Sequence, residues 1–333
     1  MVIPAYRVER HIQDVVRGVP PWIWRIVVVD DASPDQTAER VRELSDPRVV
    51  LIRHQQNQGV GGAMQTGYRT ARDLGATVMV KIDGDGQMSP EHLPAIVWPI
   101  LEGRADYVKG NRFADASAIR QMPRARRIGN VGLSFLTKMA SGYWNLFDPT
   151  NGYTALDADV ARAIDWSRIH QRYFFETAML IELNTLRAAT VDVPVPASYG
   201  DEASSLSLRR TLVEFPYLLI SRFFRRVWLQ YFVLDFSVAS LFVIVGFGLL
   251  AFASAWGGVA WARSIRTGIP ATTGTVMIAV LPWILGFQLL LQAVVFDVQR
   301  VPRQVRSRFA MRRRMALGRE GGALPPFTDR PVK

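Results

Sequence analysis

The sequence predicts an α/β fold with a mostly parallel, doubly wound sheet, followed by two membrane helices. Three observations lead to this prediction. Short β-branched segments alternate with helical patterns over roughly the first third of the chain, polar residues directly follow several of those segments, and two long uncharged segments lie further on. Strands that alternate with helices form parallel sheets covered on both faces, and ligands bind beyond the carboxyl ends of such strands.

Five strands and four helices are predicted in alternation. The strands are residues 2–3, 25–30, 49–53, 77–82 and 106–109, and the helices lie near 9–17, from 33, over 61–74 and from about 90. We expect the second helix to begin at Ser33, because Ser33, Pro34 and Gln36 together form the pattern of a capping box with proline in the first turn.

Polar residues follow three of these strands. They are Asp30-Asp31, Asp83 with Asp85, and Asn111-Arg112. Because the carboxyl ends of parallel strands share one edge of the sheet, we expect these residues to converge on one site.

Composition excludes several kinds of site. The chain has no cysteine, which excludes disulfides, thiol catalysis and cysteine-bound zinc, and its four histidines show no ligand spacing. The net charge is +11, of which residues 209–226 carry +4 (five Arg, one Glu) and residues 299–333 carry +8 (ten basic, two acidic). The remainder is therefore nearly neutral, and no nucleic-acid partner is expected. Basic clusters beside apolar segments instead favour contact with anionic lipid headgroups.

Two segments, Phe236–Trp256 and Val276–Phe296, are each apolar enough to cross a membrane. A helix of about 21 residues is roughly 31 Å long, which matches the hydrocarbon thickness of a bilayer. The alternative is a pair of buried core helices. The outer flanks of the two segments are rich in arginine, whereas the loop between them has only two charged residues, Arg263 and Arg266. The positive-inside rule thus predicts a multi-pass protein of the inner (plasma) membrane, with the globular part and the tail in the cytoplasm.

The predicted organisation has four parts. They are a catalytic domain over 1–205, amphipathic interfacial helices over 206–230, a two-helix transmembrane hairpin over 231–298, and a basic cytoplasmic tail over 299–333. Because Pro216 interrupts the second of these parts, we expect two short helices on the membrane surface, with an ordinary packed helix pair as the alternative. The N-terminus enters a predicted strand directly, so no signal peptide is expected.

The segment Asp83-Gly84-Asp85-Gly86-Gln87 follows the fourth predicted strand and offers hard oxygen ligands on a flexible turn. Mg²⁺ is commonly held by one or two carboxylates together with substrate phosphates, so this segment suits a cation that carries a diphosphate. A plain solvated turn is the alternative, since acidic turns are common.

Several motifs follow one another in a characteristic order. They are Val2-Ile3-Pro4-Ala5-Tyr6, Val28-Val29-Asp30-Asp31, Asn57-Gln58-Gly59-Val60-Gly61-Gly62, Asp83 to Gln87, Gly110-Asn111-Arg112-Phe113, Asp148-Pro149-Thr150-Asn151-Gly152-Tyr153, Phe174-Phe175-Glu176, and Tyr199-Gly200-Asp201-Glu202. Their order resembles that of family 2 glycosyltransferases, and more closely that of polyprenyl-phosphate glycosyltransferases, the dolichol-phosphate mannose synthase-like group. The resemblance covers roughly residues 1–208 and implies a GT-A-like sheet.

The resemblance also implies an activity. A sugar would move with inversion from a UDP- or GDP-linked donor to a polyprenyl phosphate (undecaprenyl or dolichyl phosphate) at the cytoplasmic membrane face. Donor-binding residues would be Pro4, Ala5, Tyr6, Glu9, Asp31, Gly59 and Asp83. Asp83, Asp85 and Gln87 would bind Mg²⁺ or Mn²⁺, Arg112 and Arg127 would bind the acceptor phosphate, and Asp85, Asp148 and Glu176 would be catalytic.

Alternatives remain for single residues and for the whole chain. Asp31 would otherwise cap a turn, Asp148 would hold a turn before Pro149, and Arg124 or Arg126 would replace Arg127. The chain also departs from the resemblance, because Arg7-Val8 stands where the family usually has Asn-Glu. A second hypothesis is a membrane-bound family 2 transferase that glycosylates a protein or a soluble glycan, and a third is a non-catalytic membrane scaffold. A homo-oligomer is left open.

Overall fold

A computed structural model describes residues 1–114, 124–196 and 208–307 of the chain. The motif at Tyr199 to Glu202 and the tail from Arg308 lie outside the described residues. The chain forms two compact units, Met1–Leu219 together with the segment that begins at Pro302, and Ile220–Val301. We call them the first and the second unit.

The first unit is built on one seven-stranded sheet. Its strands are β1 (Val2–Ala5), β2 (Ile26–Asp30), β3 (Val49–Arg53), β4 (Val78–Lys81), β5 (Tyr107–Asn111), β6 (Thr154–Asp157) and β7 (Thr190–Pro194). Their order across the sheet is β3-β2-β1-β4-β6-β5-β7. All pairs are parallel except those that β6 makes with β4 and β5. The predicted fold class, an α/β fold with a mostly parallel GT-A-like sheet, is therefore confirmed.

Helices connect these strands and cover the sheet. In the first unit they are α1 (Ile12–Arg17), α2 (Thr37–Arg42), α3 (Val60–Asp73), α4 (Leu93–Leu101), α5 (Arg124–Ser141), α6 (Ala158–Ala163) and α7 (Phe175–Thr185). Every residue of β2 is buried, as expected for a β-branched strand covered on both faces. The strands predicted from residue 25 to residue 109 match β2 to β5 to within two residues.

The start of α2 differs from the prediction. The helix begins at Thr37 and not at Ser33. The Ser33 hydroxyl accepts the backbone N–H of Arg7 at 3.1 Å, and the Ser33 N–H donates to Asp30. Ser33 is thus used to join two loops, and Asp35 Oδ1 accepts the backbone N–H of Thr37 instead.

A single helix, α8 (Leu208–Trp228), precedes the apolar segments. The prediction of two short helices divided at Pro216 is wrong, because the helix continues through this residue. Proline removes one backbone donor from a helix interior, and α8 contains Pro216 without a break. Tyr217, Ile220, Phe224 and Trp228 form an exposed apolar stripe along α8.

The second unit contains α9 (Val238–Thr267) and α10 (Thr273–Gln299), both long and apolar enough to cross a membrane. They pack closely where Gly246 faces Gly286, since a Cβ at Gly286 would lie 2.8 Å from the Gly246 carbonyl oxygen. Small residues at such a crossing are typical of membrane helix pairs. Arg226 of α8 and Asp297 of α10 form a buried bidentate ion pair, with N–O distances of 2.7 and 3.0 Å.

The segment Pro302–Ser307, which we call the C-terminal strap, belongs to the first unit and contacts its sheet. The backbone N–H groups of Arg306 and Ser307 donate to the Asp106 carboxylate at 3.0 and 2.9 Å. The Ser307 hydroxyl donates to Asp157 Oδ2 at 2.7 Å. Asp106 precedes β5 and Asp157 ends the antiparallel β6, so the strap lies at the amino edge of the parallel strands.

Candidate active site

The carboxyl ends of β1, β2, β4 and β5 lie at one edge of the sheet, as the sequence predicts. Because β6 runs antiparallel to its neighbours, its first residue, Thr154, also lies at this edge. The loop that contains Asp148 leads directly into β6 and therefore reaches the same place. The predicted site residues that precede or follow these five strands are thus collected on one side of the first unit.

The loops after β1 and β2 are tied together. The backbone N–H groups of Val8 and Glu9 donate to Thr37 Oγ1 and Asp35 Oδ2, at 3.0 and 3.4 Å. Glu9 Oε2 accepts the backbone N–H of Gln36 at 2.9 Å. Pro4 and Ala5 lie at the base of the first loop, whose Tyr6 side chain is exposed. Of the predicted donor-binding residues, Pro4 and Ala5 therefore end β1, and Tyr6 and Glu9 lie in a loop whose backbone is fixed by its neighbour.

Asp31 is buried, and both oxygens of its carboxylate are hydrogen-bonded to neighbouring protein groups. Oδ1 lies 2.9 Å from the Gln58 N–H and 2.7 Å from His54 Nδ1, and Oδ2 accepts the Gly59 N–H at 2.7 Å. The structure thus places Asp31 as the residue that holds the Gln58–Gly59 turn.

The glycines at the start of α3 face protein backbone. A Cβ at Gly61 would lie 2.2 Å from the His170 carbonyl oxygen, and one at Gly59 would lie 2.7 Å from that of Gln171. Gly59 also has a φ of +84°, which side chains rarely adopt. These glycines are therefore required by the close approach of the segment before α7.

The turn after β4 carries the predicted metal ligands. Asp85 Oδ1 accepts the Gln87 N–H at 2.9 Å, and Gly86 between them has a φ of +76°. Asp83 Oδ1 lies 3.0 Å from Lys81 Nζ. Among the described residues there is no group of three His, Cys, Asp or Glu side chains that could hold a metal ion. The turn offers two carboxylates and one amide, a donor set that fits Mg²⁺ when phosphate oxygens complete its coordination.

Lys81 is a site residue that sequence reasoning missed. It is the last residue of β4, it is 2 % exposed, and its Nζ lies 2.8 Å from Glu176 Oε1 of α7. Burial lowers the pKa of Lys81, but Asp83 and Glu176 outweigh this effect and raise it above its ordinary value. The available signal was a lysine inside an apolar strand, because lysine is almost never fully buried unless it is paired.

Arg112 and Asp148 form an ion pair beside this cluster. Arg112 Nε and Nη2 donate to the Asp148 carboxylate at 2.7 and 3.1 Å. Asp148 is buried, whereas 37 % of the Arg112 side chain is exposed. The predicted acceptor-binding arginine and the predicted catalytic aspartate thus contact each other. Arg127 belongs to α5, but its side chain lies outside the described part of the structure, as do those of Arg124 and Arg126.

Lys109 of β5 is a second buried lysine that the sequence did not single out. Its Nζ donates to the Asn151 carbonyl oxygen at 2.5 Å. Asn151 Nδ2 donates back to the Gly110 carbonyl oxygen at 2.8 Å, so the loop before β6 is anchored to β5 twice. Burial lowers the pKa of Lys109 to about 8.

Comparisons with known proteins identify the family. The family model described as Glycosyl transferase family 2 matches residues 1–165. A UDP-N-acetylglucosamine–dolichyl-phosphate N-acetylglucosaminyltransferase of Methanococcus voltae is 31 % identical over 216 residues, which are 60 % of this chain and 86 % of the relative. An undecaprenyl-phosphate mannosyltransferase of Micrococcus luteus is 34 % identical over 173 residues, which are 51 % of this chain and 70 % of the relative.

A crystal structure of M. tuberculosis glucosyl-3-phosphoglycerate synthase superimposes with a TM-score of 0.48 at 21 % identity, over 68 % of this chain and 78 % of that one.

A mostly parallel α/β sheet with polar residues at its carboxyl edge is typical of enzymes that bind their ligands there, and the relatives named above are sugar transferases. The chain belongs to glycosyl transferase family 2. It is a glycosyltransferase, and its relatives include enzymes that transfer sugars to polyprenyl phosphates.

Proposed function

We propose that this protein transfers a sugar from a UDP- or GDP-linked donor to a polyprenyl phosphate, with inversion, at the cytoplasmic face of the membrane. A phosphate oxygen of the lipid forms a bond to the anomeric carbon while the bond from that carbon to the donor diphosphate breaks. The electron pair leaves with the nucleoside diphosphate. The lipid phosphate is already largely ionised near neutral pH, since its second pKa is about 6, so little general-base help is needed.

The observation that carries the proposal is a charged pair beside exposed apolar surface. Asp148 forms an ion pair with Arg112. Phe147, the residue before Asp148 in the chain, is 61 % exposed. The Phe147 carbonyl oxygen accepts the Ser134 hydroxyl of α5, a helix on which Val131 and Phe135 are also exposed. An arginine with an apolar surface next to it suits a ligand that joins a phosphate to a hydrocarbon chain.

Asp148 and Glu176 have orienting roles in this proposal. Asp148 fixes the orientation of Arg112, whose partly exposed side chain would meet the lipid phosphate. Glu176 holds Lys81 and, through it, Asp83. Arg127 would supply a second cation for the lipid phosphate. Both carboxylates are ion-paired in the structure, which favours orientation over proton transfer.

The donor is assigned to the loops after β1, β2 and β4. Pro4, Ala5, Tyr6 and Glu9 would contact the nucleotide, and Asp31 would support that surface by holding Gly59. Asp83, Asp85 and Gln87 would hold Mg²⁺ or Mn²⁺ against the diphosphate. A bound divalent cation would neutralise the negative charge that develops on the leaving group.

The apolar stripe of α8 and the two long helices α9 and α10 support attachment to a membrane. The chain leaves the first unit at Leu219 and returns to it at the strap, so both ends of the helical hairpin are connected to the same unit. This connectivity supports an even number of membrane crossings. The arginines that flank the hairpin favour the cytoplasmic side for the first unit. The four predicted parts of the chain are proposed on the same grounds.

The test is product identification. Membranes that contain the protein are incubated with labelled UDP- and GDP-sugars and added undecaprenyl phosphate, and lipids are then extracted into organic solvent. We expect one donor to give a labelled, acid-labile lipid, and we expect Asp85→Asn to give none while the protein remains folded. A label that enters a protein or a soluble glycan instead would favour the second hypothesis. Transfer that persists unchanged in Asp85→Asn would remove this residue from the site.

A further inference from the structure

Lys81 is a buried lysine that pairs with two partly exposed carboxylates. Its Nζ is 2.8 Å from Glu176 Oε1 and 3.0 Å from Asp83 Oδ1. Asp83 belongs to the turn after β4 and Glu176 to the first turn of α7, 93 residues further along the chain. One ammonium group therefore joins the acidic turn of the donor site to a helix on the face of the sheet.

Stability alone does not explain a lysine at this position. Burying an ammonium costs several kcal/mol, and replacing a buried ion pair by apolar side chains is often neutral or stabilising. The rest of β4 (Val78, Met79, Val80) is apolar. Without Lys81, Asp83 and Glu176 would face each other as like charges, and their carboxylates would move apart. The lysine thus allows both to stay close together beside the donor site.

The cluster also contacts the loop that carries Asp148. Lys81 and Lys109 both stand opposite Thr154 of β6, one from each side. Lys109 holds the Asn151 carbonyl oxygen, and a Cβ at Gly152 would lie 2.6 Å from Lys81 Nζ and 2.7 Å from Asp83 Oδ2. The loop from Asp148 to β6 therefore rests directly on the Lys81–Asp83 pair.

We propose that Lys81 is a positioning residue for sugar transfer, which holds the Asp83 carboxylate towards the donor and ties it to Glu176. The proposal rests on the proposed function, in which Asp83 faces the donor diphosphate. Lys81 is enclosed by protein and touches no substrate. Its contribution is to fix the position of Asp83, and a displacement of about 1 Å at a reacting centre can cost on the order of 100-fold in rate.

The experiment compares Lys81→Met, Glu176→Gln and the double variant in the full-length protein, by steady-state kinetics and by thermal unfolding in detergent. We expect Lys81→Met to lower kcat about 100-fold while the KM for the lipid acceptor stays within about twofold. We expect the double variant to unfold near the temperature of Glu176→Gln, because, unlike Lys81→Met, it does not leave two carboxylates facing each other. Its kcat should nevertheless be at least about tenfold below that of Glu176→Gln, because Asp83 has lost its partner.

Equal kcat values for the double variant and Glu176→Gln would overturn the proposal, because Lys81 would then serve only as the partner of Glu176. This comparison also decides the matter if Lys81→Met alone fails to fold. Ile100→Ala is the control for lost stability, since Ile100 is fully buried in the last turn of α4. It should lower the unfolding temperature and leave kcat unchanged.

The experiments test the proposed function and the role of Lys81 independently of each other. The wild-type product alone decides the acceptor. The comparison of variants can use whichever acceptor the wild-type protein labels, so a different acceptor would leave the Lys81 result interpretable.

Discussion

Arg112 and Asp148 lock the end of β5 to the loop that enters β6. The guanidinium donates twice to the carboxylate, at 2.7 and 3.1 Å, and the backbone N–H of Arg112 approaches Asp148 Oδ2 at 3.3 Å. Thr150 Oγ1 donates to Asp148 Oδ1 at 3.2 Å. A buried carboxylate thereby fixes the orientation of an arginine whose side chain remains partly exposed.

Arg112→Lys should impair use of the acceptor more than use of the donor. A lysine keeps the charge but cannot donate in parallel to a carboxylate or a phosphate. We expect kcat/KM for the polyprenyl phosphate to fall about 10- to 100-fold, with the donor KM within about twofold, as measured by extraction of labelled lipid. Arg72→Lys is the matched control, because Arg72 forms an exposed pair with Asp73 at 2.9 Å. Equal losses for both substrates would contradict the assignment of Arg112 to the acceptor.

Gly152→Ala should disable the site without unfolding the protein. The added methyl group would lie 2.6 Å from Lys81 Nζ and 2.7 Å from Asp83 Oδ2, so the ion pair must move. We expect kcat to fall at least about tenfold, with a far-UV circular dichroism spectrum like that of the wild type. Gly248→Ala in α9 is the control, since no packed atom of the described residues lies within 4 Å of the Cβ that alanine would add there. Wild-type kcat in Gly152→Ala would show that the ion pair tolerates displacement.

Local patterns predicted the strands up to β5 because each has a continuous β-branched or apolar segment followed by a polar residue. They also predicted that Asp31, Asp83 and Asn111 lie at one edge, since this follows from strand direction alone. The antiparallel β6 was not predicted. It has only four residues, and its place between β4 and β5 depends on pairings with residues 45 to 79 positions earlier in the chain.

The partners of the site residues were equally beyond local reasoning. Lys81 was read as part of an apolar strand, although its charge is matched by Glu176 in a distant helix. Gly59 was assigned to the donor, but its position is constrained by the backbone of Gln171. When two polar groups are far apart in the chain, local sequence patterns do not show that they pair, because burial and pairing are set by tertiary packing.

Lys109 should make the free energy of unfolding rise with pH in the alkaline range. Burial lowers its pKa from 10.5 to about 8, although Glu176 and Asp148 act in the opposite direction. Between these values the unfolded chain binds the proton that the folded chain has released, so the free energy of unfolding rises with pH. From pH 7.5 to 9.5 the wild type should gain about 2 kcal/mol relative to Lys109→Met.

The measurement is urea or thermal unfolding of both proteins in detergent across this pH range. Only the difference between the two slopes is diagnostic, because other groups titrate in both proteins alike. A difference that stays constant with pH would mean that Lys109 keeps its proton in the folded state.

The C-terminal strap should depend on Asp106. Its carboxylate accepts the backbone N–H groups of Ala189, Arg306 and Ser307, and Asp106→Ala would leave these donors buried without an acceptor. We expect a loss of about 3 kcal/mol in the free energy of unfolding and faster tryptic cleavage after Arg303 and Arg306. Ser307→Ala removes one hydrogen bond to Asp157 and should cost about 1 kcal/mol. Asp73→Ala, at an exposed position, is the control and should change neither quantity. Cleavage of Asp106→Ala at the wild-type rate would mean that the Asp106 carboxylate does not hold the strap in place.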